Sequence, residues 1–300
     1  MSTHPEAKTA ADFDPEVMRL FDQYVHGLID RRGFMERAAR IGGTGALGAT
    51  ALLAALSPDF ARAQKVAPGD ARIKTSFVEF PSPAGYGTVR AYVARPAQAA
   101  GPLPVVLVVH ENRGLNPHIE DIARRLALDD FIAVAPDALF TLGGYPGDED
   151  KARELFAKLD PAKSREDFVT AAAWARGIAG GNGKLGTVGF CYGGGIVNLL
   201  ATRVPELLAG VPFYGGAPPA DQAAKIRCEL LLMFADKDDR INGAWPAYEA
   251  ALKAAGVRFQ AFRYPGTEHG FNNDTTPRFD EGAARQAWGR TVALFNRTLR

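Results

Sequence analysis

Cysteine and histidine are both scarce in this chain, with two of the one and five of the other in 300 residues. Two cysteines make no disulfide framework, and no Cys/His run has zinc-ligand spacing, so no metal is expected. An excess of charge of either sign is missing too. Thirty-five basic residues stand against 34 acidic ones, a formal net charge of +1. That balance offers no electrostatic grip on nucleic acid or on an acidic membrane surface. No Gly-x-Gly-x-x-Gly follows a predicted strand and no Walker loop occurs, so no cofactor is expected. The apolar stretch from Ile41 to Leu56 is too short and too weak to span a membrane. Repeats and low-complexity tracts are absent. The length suits one α/β domain with a well-buried core and falls short of two large ones.

Against this background Gly189-Phe190-Cys191-Tyr192-Gly193 stands out. It has the form Gly-x-nucleophile-x-Gly, with cysteine where most such elbows carry serine. Leu185 to Phe190 is a short apolar run suited to a buried strand, and Gly194 to Thr202 has helical spacing. A side chain at so tight a strand-to-helix turn projects above the sheet. The flanking glycines let neighbouring backbone pass without a Cβ clash. The bland alternative is a buried cysteine beside a glycine-rich turn. That alternative suits Cys228, which precedes the predicted strand Glu229 to Phe234, better than it suits Cys191.

An elbow nucleophile needs an acid and then a histidine, in that chain order. Asp236, Asp238 and Asp239 follow the apolar run Leu230 to Phe234, and His269 follows Val257 to Tyr264. Both lie where loops leave the carboxyl ends of strands, the place where open α/β sheets gather their chemistry. Of the other histidines, His4 and His26 fall in the leader, His110 precedes an acidic residue and His118 opens a helix. Pro104 to Val109 is a continuous β-branched run, as in a strand buried on both faces. It ends in His110-Glu111-Asn112-Arg113-Gly114. The backbone N–H of Asn112, with that of Tyr192, is placed to form an oxyanion hole. Glu111 would lie near the thiol or pair with a nearby cation, and Arg113 could neutralise it or bind an anionic substrate.

From about Lys74 onward the chain resembles the dienelactone hydrolase family of α/β-hydrolases. The resemblance rests on the Cys191 elbow, the Asp238-x-Arg-Ile loop, His269-Gly-Phe, and Glu111 after the third-strand position. It implies a Cys191–His269–Asp238 triad with Glu111 as auxiliary acid, and cleavage of an ester or enol-lactone through a thioester acyl-enzyme. The family's characterised lactonases hold the substrate carboxylate with arginines that the stretches Asp137 to Thr141 and Phe271 to Asp274 lack. A carboxylesterase or thioesterase on the same triad, or a non-catalytic small-molecule binder, are the competing readings.

Residues 1–63 are of another kind. Asp30-Arg31-Arg32-Gly33-Phe34-Met35 is a twin-arginine pattern, followed by the Ala/Gly-rich stretch and by Ala61-Arg62-Ala63, a small-x-small cleavage site. They read as a signal for periplasmic export by the twin-arginine translocase. The alternative is an uncleaved helical extension packed on a catalytic domain of residues 64–300, which would bury Phe21, Tyr24, Ile29 and Phe34. Beyond the leader, predicted strands alternate with helices at Pro117 to Leu128, Asp148 to Leu159, Ser164 to Ile178, Ala244 to Ala255 and Glu281 to Leu299. Repeated βα units of this kind give an α/β fold, a mostly parallel sheet flanked by helices on both faces, with an antiparallel opening pair at one edge. The segment Phe140 to Pro146 is expected to overhang the site.

Overall fold

Val105 to Val109 lie wholly out of contact with water in the middle of an eight-stranded sheet. The computed structural model describes residues 8–41, 45–61 and 64–300. The strands are β1 (Ile73–Ser82), β2 (Gly87–Pro96), β3 (Leu103–Val109), β4 (Ile132–Pro136), β5 (Gly181–Phe190), β6 (Leu207–Phe213), β7 (Glu229–Lys237) and β8 (Phe259–Glu268). Their spatial order is β1-β2-β4-β3-β5-β6-β7-β8. β1 and β2 pair antiparallel and β2 meets β4 antiparallel, while every pair from β4 to β8 is parallel. The antiparallel opening pair sits at one edge, as the turn-linked N-terminal strands imply.

Alternation along β3 divides the core into two layers. Val105, Leu107 and Val109 pack with Phe168, Ala171 and Ala175, whereas Val106 and Val108 pack with Ile119, Ile122 and Phe295. The first set of partners belongs to α6 (Pro161–Arg176), joined on that face by α7 (Tyr192–Arg203) and α9 (Trp245–Ala254). The second belongs to α4 (Pro117–Leu128) and α10 (Glu281–Leu299). The two short helices α5 (Glu149–Phe156) and α8 (Asp239–Asn242) lie in connections at the sheet's carboxyl edge.

Three further helices form a separate small core. They are α1 (Pro15–Val25), α2 (Arg31–Ile41) and α3 (Gly45–Leu56). Asp14 caps α1 by accepting the Glu16 N–H at 2.7 Å, and Pro15 occupies its first position, where a missing N–H costs nothing. Val17, Leu20, Phe21 and Tyr24 form its apolar stripe and close on Phe34, Ala38, Leu53 and Leu56. Phe21, Tyr24 and Phe34 are buried, while Ile29 is half-exposed. Arg31 and Arg32 are exposed. The proposed cleavage residues Arg62 and Ala63 lie outside the described residues. Among the described residues no helix is long and apolar enough to cross a membrane.

Candidate active site

The carboxyl ends of the parallel strands bring the site together. Cys191 follows β5, Asp238 follows β7, His269 follows β8 and Glu111 follows β3. Cys191 has φ +56° and ψ −113° and stands at the cap position of α7. Positive φ is uncommon for a residue with a Cβ and costs on the order of 1–3 kcal/mol, sustained by the packing around it. The neighbouring glycines are a steric requirement. A Cβ on Gly189 would lie 2.3 Å from the Gly193 carbonyl oxygen, and one on Gly193 would lie 2.3 Å from that of Val109. The backbone N–H of Tyr192 opens α7, where the first N–H groups have no partner within the helix. Its side chain turns the other way, to a 3.0 Å hydrogen bond with Ser164.

His269 is buried, and its Nδ1 donates to Asp238 Oδ2 at 2.5 Å. That bond directs Nε2 toward the thiol. Asp236 and Asp239 do not compete for it. Asp236 accepts the Gly266 N–H and pairs with Arg263, and Asp239 is exposed at the start of α8. Burial alone would keep the Cys191 thiol protonated. The positive charges of His269 and His26 and their hydrogen bonds outweigh it, drawing the thiol down to about 5. Burial likewise opposes charge on His269, but the adjacent thiolate and Asp238 raise its imidazole to about 10. Both shifts favour a thiolate beside an imidazolium.

Glu111 and Arg113 line the same cavity as Cys191. Glu111 Oε2 accepts from Asn273 Nδ2 at 2.9 Å. The thiol's hydrogen-bonding neighbours are two imidazoles rather than this carboxylate. Arg113 does not neutralise Glu111 as a partner. It lies 3.5 Å from Glu149 and donates to the carbonyls of Asn112 and Val25. His110 is structural: its Nε2 accepts the Ala138 N–H at 3.1 Å, so its Nδ1 carries the hydrogen toward the Glu111 carbonyl. Burial holds it neutral. In the Phe140 to Pro146 segment Tyr145 packs edge-on to Phe60, four residues beyond the end of α3.

Two residues in the site carried no sequence signal. His26, set aside with the leader, places Nε2 3.4 Å from Cys191 Sγ and 3.3 Å from His269 Nε2. Histidine scarcity was the only hint. Arg278 also lines the cavity, nine positions beyond His269 and outside the stretch where an arginine was sought. It is half-buried, and its Nε and Nη1 make no hydrogen bond, Nη1 lying 3.9 Å from Asp22; Arg113 Nε likewise makes none and lies 3.5 Å from Glu149.

The N-terminal helices roof the site. Phe21, Val25, His26 and Pro58 close a cavity of only about 40 Å³ over Cys191. The last carbonyls of α1, which have no partner inside a helix, accept from side chains beyond the N-terminal helices. Asn112 Nδ2 donates to Val25 O at 2.9 Å and Arg153 Nη1 to Tyr24 O at 3.2 Å. The Tyr24 hydroxyl and Arg31 both reach Asp150.

The comparisons with known proteins agree with this architecture. A family model described as "YqhI-like" matches residues 5–42, the span of α1 and α2. The Escherichia coli K12 protein named "Putative hydrolase fragment YghX" is 51% identical over 113 residues, 38% of this chain and 97% of its own length. From the same organism, a "Putative carboxymethylenebutenolidase" is 35% identical over 243 residues, covering 76% of this chain and 88% of the relative. A crystal structure titled as a "Putative Dienelactone Hydrolase" from Klebsiella pneumoniae superposes with TM-score 0.66 at 33% identity, covering 74% of this chain and 99% of that one. The fold is that of the α/β-hydrolases. The model described as "Dienelactone hydrolase family" matches residues 89–299, and the chain belongs to that family of carboxymethylenebutenolidase-type hydrolases.

Proposed function

We propose that this hydrolase cleaves a carboxylate-bearing ester or enol-lactone through Cys191, His269 and Asp238. The observation that carries the reading is the single line of contacts from Asp238 through His269 to a strained-elbow thiol at the strand ends. The thiolate attacks the carbonyl carbon, forming a C–S bond. The developing oxyanion is held by the N–H groups of Asn112 and Tyr192, each worth about 3–4 kcal/mol of barrier in such holes. The C–O bond breaks and the His269 imidazolium gives its proton to the leaving oxygen. His269, now neutral, takes a proton from water, whose oxygen attacks the thioester and breaks the C–S bond. In a lactone the leaving enolate stays tethered to the acyl group and can itself take up a proton.

Arg113 and Arg278 line the cavity with guanidinium N–H groups that make no hydrogen bond, and these support a substrate carboxylate, which would compete there with the longer ion pairs to Glu149 and Asp22. The test is a hydrolysis screen over enol-lactones, aryl esters and thioesters with and without a carboxylate, run beside Cys191→Ala. Turnover of carboxylate-bearing lactones or esters, lost in the variant, is the expected result. Equal turnover of uncharged esters or thioesters makes it a general esterase or thioesterase. No turnover of any class, together with slow alkylation of Cys191, leaves a binder.

Localisation is a proposal of the same kind. Exposed Arg32 in the twin-arginine pattern supports export to the periplasm, whereas the Arg31–Asp150 contact and buried Phe21, Tyr24 and Phe34 support a retained extension. Mass spectrometry of the native protein separates them. A mature N-terminus at Gln64 in the periplasmic fraction means export with cleavage, and an intact N-terminus in the cytoplasm means an extension.

A further inference from the structure

His26 makes the site more than a triad. Its Nδ1 lies 2.7 Å from the Asp22 carbonyl and 3.2 Å from the Asp22 carboxylate. His269 Nδ1 is likewise committed to Asp238. With both Nδ1 atoms acting as donors, both Nε2 atoms turn their free positions toward Cys191 Sγ and toward each other. Were both imidazoles neutral, their Nε2 atoms would be two acceptors 3.3 Å apart beside a thiolate, an unfavourable arrangement unless a cation lies between them. A proton can serve there, and so can a metal ion.

The spacing fits a metal. Tetrahedral zinc, with bonds of about 2.0–2.1 Å to nitrogen and about 2.3 Å to sulfur, sets its nitrogens about 3.3 Å apart and nitrogen and sulfur about 3.6 Å apart. Here the two nitrogens are 3.3 Å apart and His26 Nε2 is 3.4 Å from Sγ, with all three atoms within 4.8 Å of one another. His269 has a hydrogen-bonded carboxylate behind it and His26 a backbone carbonyl, both among the partners that orient metal-ligating histidines. His26 also ends α1, whose C-terminal dipole favours a cation. One contact opposes the arrangement: Arg240 Nη2 lies 3.1 Å from His26 Nε2. Arg240 is exposed, so its guanidinium can turn out to solvent.

We propose that His26 Nε2, Cys191 Sγ and His269 Nε2 form a three-ligand site for a zinc-type divalent cation, which silences the nucleophile and ties the N-terminal helices over it. The ion accepts lone pairs from the sulfur and both nitrogens, and protons held by the imidazoles pass to the buffer. No oxidation or reduction is involved. The same three residues line the small cavity of about 40 Å³, which has room for a water that would complete the coordination. Only the effect on hydrolysis rests on the triad reading, because binding itself needs just the three ligand atoms.

The test uses the full chain and two probes, Zn²⁺ and Co²⁺. Co²⁺ should give a 1:1 tetrahedral spectrum with a thiolate-to-cobalt charge-transfer band, lost in Cys191→Ser. His26→Ala and His26→Gln should each weaken Zn²⁺ binding by at least about 100-fold, no less than the loss of an outer partner can cost. Arg240→Ala should tighten it, a gain that a merely structural disturbance would not produce. Equimolar Zn²⁺ should suppress hydrolysis, with recovery on adding EDTA. Parent-like Zn²⁺ affinity in both His26 variants, or no thiolate band in the parent, overturns the proposal. A band in a protein that hydrolyses nothing leaves the metal site standing and removes only the hydrolase reading.

Discussion

Two imidazoles compensate for the burial of Cys191 and favour its thiolate, and that balance has a definite pH signature. As pH falls through about 5 the sulfur takes up a proton, and as pH rises through about 10 His269 loses its own. Nucleophile and proton donor therefore coexist only between those limits. Iodoacetamide alkylation of Cys191 should stay fast well below the usual thiol range near ~8.5 and drop only near pH 5. A midpoint near 8.5 would remove the ion pair. Asp238→Asn should lower kcat by about 10³–10⁴-fold, because an amide leaves the imidazole in the wrong tautomer, with KM little changed. Arg278→Ala should raise KM for carboxylate-bearing substrates and leave uncharged esters unaffected. Equal loss on both kinds would assign Arg278 to structure.

Elements were legible where local pattern and tertiary demand agree. Pro117–Leu128 and Glu281–Leu299 begin and end where proline, cap and apolar spacing put them, and β3 reads as a two-faced buried strand because it is one. β6 has no such signal. Leu207–Phe213 carries Gly210 and Pro212, which demote a run from strand on local grounds. The chain tolerates them there because a Cβ at Gly210 would come within 2.9 Å of Leu230, and because Pro212 lies near the strand's end. The meeting of Cys191, Asp238 and His269 at the carboxyl ends of strands was legible from chain order. His26 and Arg278 were not, because nothing in sequence spacing tells which distant segment will fold back on a cavity. The amphipathic stripe of α1 was readable, and it has a stability consequence. Phe34 packs against Phe21 and Tyr24 at ring distances of 6.3 and 5.4 Å. Phe34→Ala should cost about 3–5 kcal/mol, confined to the N-terminal helices, so amide protons of residues 15–56 should exchange faster while those of β3 and β5 do not.

At the scale of the whole molecule the chemistry and the access route conflict. A cavity of about 40 Å³ lies far below the roughly 300–1,000 Å³ of sites that take small organic ligands. Turnover of an ester or lactone therefore requires α1 to leave the mouth of the site. What holds it there is concentrated on few groups, with Asp150 receiving both the Tyr24 hydroxyl and Arg31. Hydrogen bonds to a charged group are worth about 1.5–3 kcal/mol when shielded, and exposed ion pairs less. Asp150→Ala should then shift the closed-to-open balance by about 1–2 kcal/mol, a factor of about 5–30. Asp150 touches none of the triad, so the variant separates access from chemistry. Alkylation of Cys191 and kcat/KM for a bulky aryl ester should rise together by that factor. A folded Asp150→Ala protein with unchanged alkylation would mean that the helices do not limit entry, and the substrate would have to reach the thiol by another path.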